Sequence, residues 1–467
     1  MRQPQEENLP VQTYISIRGH VQRRDYMKSM TLVNFVPPLK DNTTVPLGPL
    51  YIVSVLEKER VFVDFRDYQL ASCENPLNQK SMVDFLSTSE DTLAVGCLFN
   101  VLPFLLPILK KMKDETPEKT IILGGPGPSS VAEKIVEKFS FIDVVVKGEG
   151  ERTMVDLAKG VPLQDIKGIV YRNNGNVVST PKRERIHNLD ELPFPAYEKV
   201  DLSQYVQAGV ITARGCPYRC TFCEVAPLWG YHTEQRSVSN VMAEVNVLYE
   251  YGVKDFHVND DTFVLNRKWV SDFCDAIKAE RNDVTWRCLG RINLMDEELI
   301  SKMASSGCTG IQYGVESGSE RVLKIVGKQI TIPQVKEVVN LSVDCMEYVM
   351  STFMWGFPFE TMGDFFQTVY MMGVLAEMGS VVKLLFLSPA PLSPLYGEYC
   401  NQLRFDEKFV PNLLWGMYRD KLSQKEKDKV LEMIRKYPDI FSAFYYVYTP
   451  DVEKKYQILK KAGMLPD

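Results

Sequence analysis

Three cysteines stand within eight positions of this 467-residue chain, namely Cys216, Cys220 and Cys223 in the spacing C-x3-C-x2-C. Thiolates are soft ligands that favour iron–sulfur clusters or zinc. A structural zinc site normally takes four protein ligands, and the nearest histidine, His232, lies nine residues beyond Cys223. Three thiolates can instead hold three irons of a [4Fe–4S] cubane and leave the fourth iron open, with Phe222 shielding one face. Two alternatives stay open, which are three unrelated buried cysteines and a zinc ribbon.

Strand and helix signals alternate through residues 210–389, the segment that must position this loop. Six strand–helix units predict a partial, TIM-type (β/α)6 parallel barrel. The loops at the carboxyl ends of barrel strands meet at one mouth, and the cysteine loop directly follows the first of the predicted strands. These strands are expected at residues 211–213, 255–258, 284–287, 310–315, 351–356 and 383–387.

The amino-terminal part of the chain shows a second alternation of β-rich runs and helix-length stretches. The runs lie at residues 32–36, 61–65, 92–97, 120–124 and 141–148, and they predict a Rossmann-like α/β domain whose parallel sheet binds ligands at the carboxyl ends of its strands. A hairpin and a charged connector follow. We therefore expect four segments: an amino-terminal domain (1–160), a hairpin and linker (161–204), the barrel (205–400) and a helical carboxy-terminal cap (401–467).

Further motifs follow the later barrel strands in order: residues 257–263 (HVNDDTF), 287–291 (RCLGR), 314–318 (GVESG), 355–361 (WGFPFET) and 389–396 (PAPLSPLY). With the cysteine motif, they resemble the radical S-adenosylmethionine (SAM) superfamily, in which the open iron binds the amino and carboxylate groups of SAM. Two alternatives are simpler, since Asp260 and Asp261 could cap a helix and residues 356–358 could form only a tight turn. The resemblance implies SAM contacts from Phe222, Asp260, Arg291, Glu316, Ser317, Gly356, Phe357 and Pro358.

The amino-terminal domain resembles the cobalamin-binding domain that precedes the barrel in cobalamin-dependent radical SAM enzymes. Small residues let the backbone approach a large flat macrocycle. Since none of the histidines at positions 20, 187, 232 and 257 stands in a D-x-H-x-x-G context, we expect cobalamin without a histidine lower ligand. The alternative is a flavodoxin-like domain that binds no corrin and only covers the barrel mouth. The resemblance implies cobalamin contacts from Pro46, Leu47, Gly48, Cys97, Leu98, Phe99, Asn100, Gly124, Gly125, Pro126, Gly148, Glu149, Gly150 and Glu151.

The resemblance implies a cobalamin-dependent C-methyltransferase, which transfers a methyl group from methylcobalamin and SAM to an unactivated carbon of a peptide or protein residue or a small metabolite. The electron donor is expected to be a flavodoxin or a ferredoxin. One alternative is a non-methylating radical SAM enzyme, such as a dehydratase, an epimerase or a ring-forming enzyme, whose amino-terminal domain binds no cobalamin. A methylthiotransferase is another, and a cobalamin-binding carrier without activity is an alternative of another class.

Composition limits the partners and the compartment. The net charge is −6, with 54 basic and 60 acidic residues, so the chain has no overall attraction for nucleic acid. The most apolar stretch, residues 93–109, contains Asn100, Pro103 and Pro107 and is shorter than the roughly 20 residues that a membrane span needs. No signal peptide is recognisable, and ten cysteines are too few for a disulfide scaffold. We expect a cytoplasmic protein that binds no nucleic acid and has no membrane span, with these cysteines as small buried hydrophobes: Cys73, Cys97, Cys274, Cys288, Cys308, Cys345 and Cys400.

Overall fold

The protein is described from a computed structural model that covers residues 27–38, 43–72, 75–410 and 422–465. His20 and Cys73 lie outside the described residues. The first sheet has seven strands, in the order β2-β1-β3-β4-β5-β6-β7. They are β1 (Ser29–Phe35), β2 (Phe62–Asp67), β3 (Thr92–Cys97), β4 (Thr120–Gly124), β5 (Val144–Val146), β6 (Ile169–Asn173) and β7 (Asn176–Ser179).

The first five strands are parallel, and helices cover both faces of the sheet. Val33 and Val95 point into one apolar core while Leu32 and Ala94 point into another, as expected for strands buried on both sides. The order 2-1-3-4-5 puts a topological switch point between β1 and β3, where ligands bind in such sheets. The connecting helices are α1 (Leu47–Lys58), α2 (Gln79–Leu86), α3 (Leu102–Glu115), α4 (Pro126–Ser130), α5 (Ala132–Lys138) and α6 (Glu151–Ala158).

The expected hairpin is present as β6 and β7, and it continues the first sheet. Val145 of β5 pairs antiparallel with Val170 of β6. Asn174 and Gly175 form the turn with φ angles of 49° and 84°, the left-handed pair that a two-residue hairpin requires. The hairpin segment therefore packs as part of the amino-terminal domain.

The second sheet forms the predicted partial barrel, in the parallel order β8-β11-β12-β13-β14-β15. The predicted α/β fold class, with a Rossmann-like sheet followed by a (β/α)6 barrel, is confirmed. The strands from β8 on are β8 (Ala208–Val210), β9 (Ala213–Arg214), β10 (Glu234–Gln235), β11 (Asp255–Val258), β12 (Thr285–Gly290), β13 (Cys308–Glu316), β14 (Tyr348–Trp355) and β15 (Val381–Phe386). The helices between them are α7 (Val225–Trp229), α8 (Val238–Glu250), α9 (Arg267–Glu280), α10 (Glu297–Ser305), α11 (Glu320–Ile325), α12 (Ile332–Cys345) and α13 (Met362–Glu377).

The first barrel strand lies earlier than predicted, at Ala208–Val210 instead of residues 211–213. The backbone amides of Thr212 and Ala213 donate to the Asp260 carboxylate, at 2.7 and 2.9 Å. The chain therefore leaves the barrel sheet after Val210, and β9 pairs with β10 as a separate two-stranded sheet.

The carboxy-terminal segment contacts both larger units. Its elements are α14 (Pro394–Tyr399), β16 (Leu403–Arg404), α15 (Gln424–Lys436), β17 (Tyr446–Val447) and α16 (Val452–Lys461). Leu431 and Phe444 join an apolar core of the first domain, whereas Leu459 packs with Trp355 and Phe365 of the barrel. Among the described helices, none combines the length and hydrophobicity needed to cross a membrane.

The expectation that the remaining cysteines are buried is wrong for two of them. Cys345 is exposed and Cys400 is half-buried. Each lies at the end of an outer helix, where one side of the chain faces solvent.

Candidate functional site

The three cysteines lie on the loop between β9 and α7, and all three are partly exposed. Burial, together with the neighbouring thiols of Cys220 and Cys216, raises the pKa of Cys223 to about 11, so the three sulfur atoms lie close enough to interact. The Thr262 hydroxyl is 3.3 Å from Cys216 Sγ. The loop thus presents a compact set of three thiols.

This arrangement suits a cluster better than a single ion. Within the described ranges, no three side chains of His, Cys, Asp or Glu converge on a point that one metal ion could occupy. Each cysteine of an iron–sulfur cluster binds a different iron, so the sulfur atoms need to surround a volume and do not need to meet at one point. Three thiols on one loop are the donor set that an iron–sulfur cubane with one open iron needs, so Cys216, Cys220 and Cys223 are chemically suited to hold one.

Asp260 and Asp261 accept hydrogen bonds from backbone amides just before Cys216. Asp260 is buried, accepts both amides named above and also accepts the Thr212 hydroxyl, while burial raises its pKa to about 7. Asp261 accepts the amide of Gly215 at 2.9 Å. Neither carboxylate caps a helix, because Asn266 caps α9. In this structure the oxygen atoms of Asp260 brace the start of the loop, which differs from the SAM contact that the resemblance implies.

Arg291 stands beside the cluster loop. Its guanidinium lies 3.6 Å from the centre of the Tyr218 ring, and its Nη1 is 3.8 Å from Cys220 Sγ. Nη2 donates to the Lys328 carbonyl, whereas the buried Nε finds no hydrogen-bond partner among the described residues. A buried unpaired donor of this kind costs free energy unless a ligand accepts from it.

Glu316 ends the longest barrel strand in a strained conformation. Its φ is 72°, at a point where the pairing of β13 with β14 shifts register. The carboxylate is buried and accepts from Lys328 Nζ at 2.8 Å. A Cβ on Gly314 would stand 2.3 Å from Glu316 Oε1, so a side chain at position 314 would displace this carboxylate. Left-handed backbone at a non-glycine residue is typical of functional sites.

Ser317 and the loop after β14 complete this side of the mouth. The Ser317 hydroxyl is fully buried and pairs with the Thr368 hydroxyl at 3.0 Å. Phe222 and Phe357 pack edge to face, with ring centres 6.0 Å apart, which joins the cluster loop to residues 356–358. Pro358 directly follows Phe357 in the loop after β14.

A buried ion pair fixes that loop to the carboxy-terminal segment. Lys455 Nζ of α16 donates to the Glu360 carboxylate at 2.9 Å and to the Glu360 carbonyl at 2.8 Å, and both side chains are fully buried. The same carboxylate accepts from the amide of Gly356 at 3.1 Å. Gly356 has a φ of 88°, and a Cβ there would stand 2.3 Å from the Phe386 ring.

A cavity of about 430 Å³ lies between the carboxyl ends of the two sheets. Asn34, the last but one residue of β1, and Val36, which follows β1, lie on its wall at the switch point. Barrel residues Ile211, Asn259 and Asp261 line it as well. The wall is mostly apolar or glycine. A concave apolar volume of this kind fits a cofactor with a flat ring. These residues expected to bind cobalamin line the cavity: Gly48, Cys97, Leu98, Gly124, Gly125, Pro126, Gly148, Glu149, Gly150 and Glu151.

Four of the residues expected to bind cobalamin lie outside the cavity lining. Pro46 precedes α1, and Leu47 is buried in an apolar core of the barrel. Phe99 packs into a core of the first domain. The Asn100 Oδ1 atom is buried without a hydrogen-bond partner among the described residues.

The carboxylates of Glu149 and Glu151 are buried, and both form ion pairs with Arg214. Arg214 donates to Glu149 at 3.1 Å and to Glu151 at 2.7 Å, and all three side chains are at most 9% exposed. Burial lowers the pKa of Arg214, but the charges of Glu151 and Glu149 outweigh it and raise the pKa above its ordinary value. Arg214 immediately precedes the cluster loop, so its two ion pairs join the cavity wall to that loop.

Sequence reasoning missed Arg214 and Lys328 as parts of the site. Arg214 carried a usable signal, since it stands two positions before Cys216, and two carboxylates, Glu149 and Glu151, stand in a glycine-rich loop. Lys328 follows a short helix and carries no comparable local pattern.

Three comparisons with known proteins agree with this geometry. Residues 210–371 match the radical SAM superfamily. An uncharacterized methyltransferase of Pyrococcus horikoshii is 32% identical over 355 residues, which are 72% of this chain and 76% of the relative.

Two solved structures share the fold. The radical SAM methyltransferase TsrM of Kitasatospora setae, solved with cobalamin and a [4Fe–4S] cluster, superposes with a TM-score of 0.68 at 20% identity, over 80% of this chain and 75% of that one. The cobalamin-dependent radical enzyme OxsB, solved with aqua-cobalamin and SAM, gives a TM-score of 0.69 at 18% identity, over 94% of this chain and 75% of that one.

Proposed function

The chain belongs to the radical SAM superfamily, and we propose that within it this protein is a cobalamin-dependent methyltransferase that acts on an unactivated carbon. The observation that carries the proposal is the cavity of about 430 Å³ whose wall includes Arg214, the neighbour of the cluster loop, and the glycine-rich loops of the first sheet. Two cofactors bound on its opposite sides would face each other across a shared space.

Residues at the barrel mouth would bind the iron–sulfur cluster and SAM. Cys216, Cys220 and Cys223 hold the cluster. The unpaired Nε of Arg291 is available to the SAM carboxylate, and the buried Glu316 carboxylate is suited to accept from a ribose diol. Phe222 and Phe357 exclude water from the space between the loops.

The first domain would bind cobalamin by the shape of its cavity wall. Gly48, Gly124 and Gly125 let the backbone approach a corrin face, and Leu98 offers an apolar side chain beside it. The described residues that line this wall include Cys97, Leu98 and Pro126 and no histidine, so a bound cobalamin would be held here mainly by apolar contacts. When bound, the cluster supplies the electron that cleaves SAM, and cobalamin supplies the methyl group that is transferred.

The substrate is proposed only as a class, namely a peptide or protein residue or a small metabolite. Trp229 and Leu228 line the same cavity, which favours a substrate with an apolar portion. We further propose a flavodoxin or ferredoxin as the electron donor.

The test is the iron and cobalt content of protein purified without oxygen from cells supplied with cobalamin, followed by product analysis with SAM and a reductant. About four irons and one cobalt per chain, with formation of both S-adenosylhomocysteine and 5′-deoxyadenosine, are expected. Four irons without cobalt, and 5′-deoxyadenosine alone, would instead identify a non-methylating radical SAM enzyme.

A further inference from the structure

Arg214 precedes the cluster loop and contacts two carboxylates of the first domain, Glu149 and Glu151. We propose that Arg214, held by Glu149 and Glu151, is a positioning residue that sets the distance between the cluster loop and the wall of the cavity. The inference rests on the proposed function in so far as that distance separates the two cofactors.

The geometry of the ion pairs is that of a two-armed clamp. Nη1 of Arg214 contacts Glu149 Oε1 at 3.1 Å, while Nη2 contacts Glu151 Oε1 at 2.7 Å. The guanidinium lies 5.1 Å from the ring centre of Tyr51 in α1. A planar guanidinium spans two carboxylates, whereas the ammonium of a lysine is a point charge that cannot span them with the same orientation.

The cavity end of the clamp is rigid. Glu149 and Glu151 alternate with Gly148 and Gly150, and all four residues line the cavity. The second oxygen of Glu149 accepts from the amide of Ile186 at 2.9 Å. The clamped carboxylates are therefore fixed parts of the cavity wall.

The cluster end leaves equally little freedom. The Arg214 carbonyl accepts from Arg185 Nη2 at 2.8 Å. Gly215 has a φ of 104°, a Cβ on it would stand 2.2 Å from the His232 carbonyl, and its amide is held by Asp261. A displacement of Arg214 is thus transmitted to Cys216, the first cluster ligand.

The experiment compares wild type with Arg214→Lys, which keeps the charge, and with Arg66→Lys as a matched control. Arg66 donates to Asp64, Phe85 and Thr88 within the first domain alone. Glu151→Gln is a milder second variant that keeps the size of the side chain, in case Arg214→Lys does not fold. For each protein, iron and cobalt are counted, and S-adenosylhomocysteine and 5′-deoxyadenosine are measured with SAM and a reductant.

Two further readouts do not depend on turnover. The first is the relaxation of the cob(II)alamin electron spin by the reduced cluster, which falls steeply as the distance between the two centres grows. The second is hydrogen exchange of peptides that cover residues 144–152 and 210–224.

For Arg214→Lys we expect metal contents near wild type, a ratio of S-adenosylhomocysteine to 5′-deoxyadenosine at least about tenfold lower, which corresponds to about 1.4 kcal/mol, and weaker spin relaxation. Exchange should rise in both peptides together, and Arg66→Lys should change neither. An unchanged product ratio with unchanged relaxation, or a parallel loss of metals and both products, would overturn the positioning role. If wild type binds no cobalt, the proposed function fails, and hydrogen exchange alone decides whether the clamp exists.

Discussion

The carboxyl ends of both parallel sheets meet at the cavity, but the two ends carry different types of residue. The amino-terminal edge contributes glycines and small apolar side chains, among them Gly48, Gly96 and Gly124. The barrel edge carries thiols and charges, among them Cys220, Arg291 and Glu316. Under the proposed function, the first edge would bind its cofactor by shape, and the barrel edge would bind through charge and metal ligation. Variants of the two edges should therefore fail in separable ways.

The largest effect is expected from Cys216→Ala, Cys220→Ala and Cys223→Ala combined. Without thiolates no cluster forms, so cleavage of SAM to 5′-deoxyadenosine should be abolished, while cobalt binding by the other edge persists. Mass spectrometry of products and metal analysis check both. Cys345→Ala, at an exposed position, is the control, and 5′-deoxyadenosine from the triple variant would disprove the cluster assignment.

Gly48→Leu should reduce cobalt binding and leave the cluster in place. Gly48 lines the cavity, and a Cβ there meets no atom within 4 Å, so the added side chain extends into open space that the corrin needs. We expect cobalt content to fall at least about tenfold, which needs only about 1.4 kcal/mol, with iron content unchanged.

The control for Gly48→Leu is Gly373→Leu, since Gly373 is a helical glycine whose Cβ also meets no atom within 4 Å and which lines a different surface groove. Equal cobalt contents in the two variants would show that the first edge does not recognise its ligand by shape.

Glu316→Gln sharpens the comparison on the barrel edge. The substitution keeps the side-chain size and removes the charge that pairs with Lys328. A hydrogen bond to a charged group contributes roughly 1.5–3 kcal/mol, so the Kd for SAM should rise about tenfold to a hundredfold, measured by calorimetry on the cluster-loaded protein. Cobalt content should not change, and Glu297→Gln at an exposed position of α10 is the control. A Kd equal to that of wild type would remove Glu316 from the SAM site.

The smallest effect concerns pH and Asp260. Burial raises the pKa of this carboxyl to about 7 in the folded protein, above its ordinary value near 3.9. The folded state therefore holds the proton more tightly than the unfolded state, and this contribution to stability is complete below pH 4 and is lost as the pH rises through 7. From pH 5.5 to pH 8 the loss amounts to on the order of 2 kcal/mol.

Asp260→Asn should remove this dependence. The Tm of the variant, relative to wild type at the same pH, should rise between pH 5.5 and pH 8 in thermal unfolding followed by circular dichroism. A constant difference would show that the carboxyl titrates alike in the folded and unfolded chain.

Much of the architecture could be predicted because it depends on local patterns. The alternation of β-rich runs with helix-length stretches predicted both sheets, and the carboxyl-end rule put Glu316 at the end of its strand and Gly125 just after its strand, where the structure has them. The cysteine spacing predicted a cluster loop for the same reason, since three thiols within eight positions of one loop are also close in space.

What could not be predicted depends on contacts between distant residues. Arg214 and Glu151 lie 63 positions apart, and nothing in either local pattern indicates the pairing. The position of the first barrel strand was predicted wrongly because residues 211–213 favour a strand locally, yet Asp260 takes the amides of Thr212 and Ala213. Long-range hydrogen bonds thus decided the details that sequence patterns left open.

The contact between Lys455 and Glu360 has a consequence for synthesis on the ribosome. Lys455 is translated 95 residues after Glu360, which takes about 5 to 20 seconds at typical rates. During that interval the Glu360 carboxylate has no counter-charge, and Gly356 is not yet held in place by a completed network. The buried ion pair can therefore form only after all three cysteines of the cluster loop have been made.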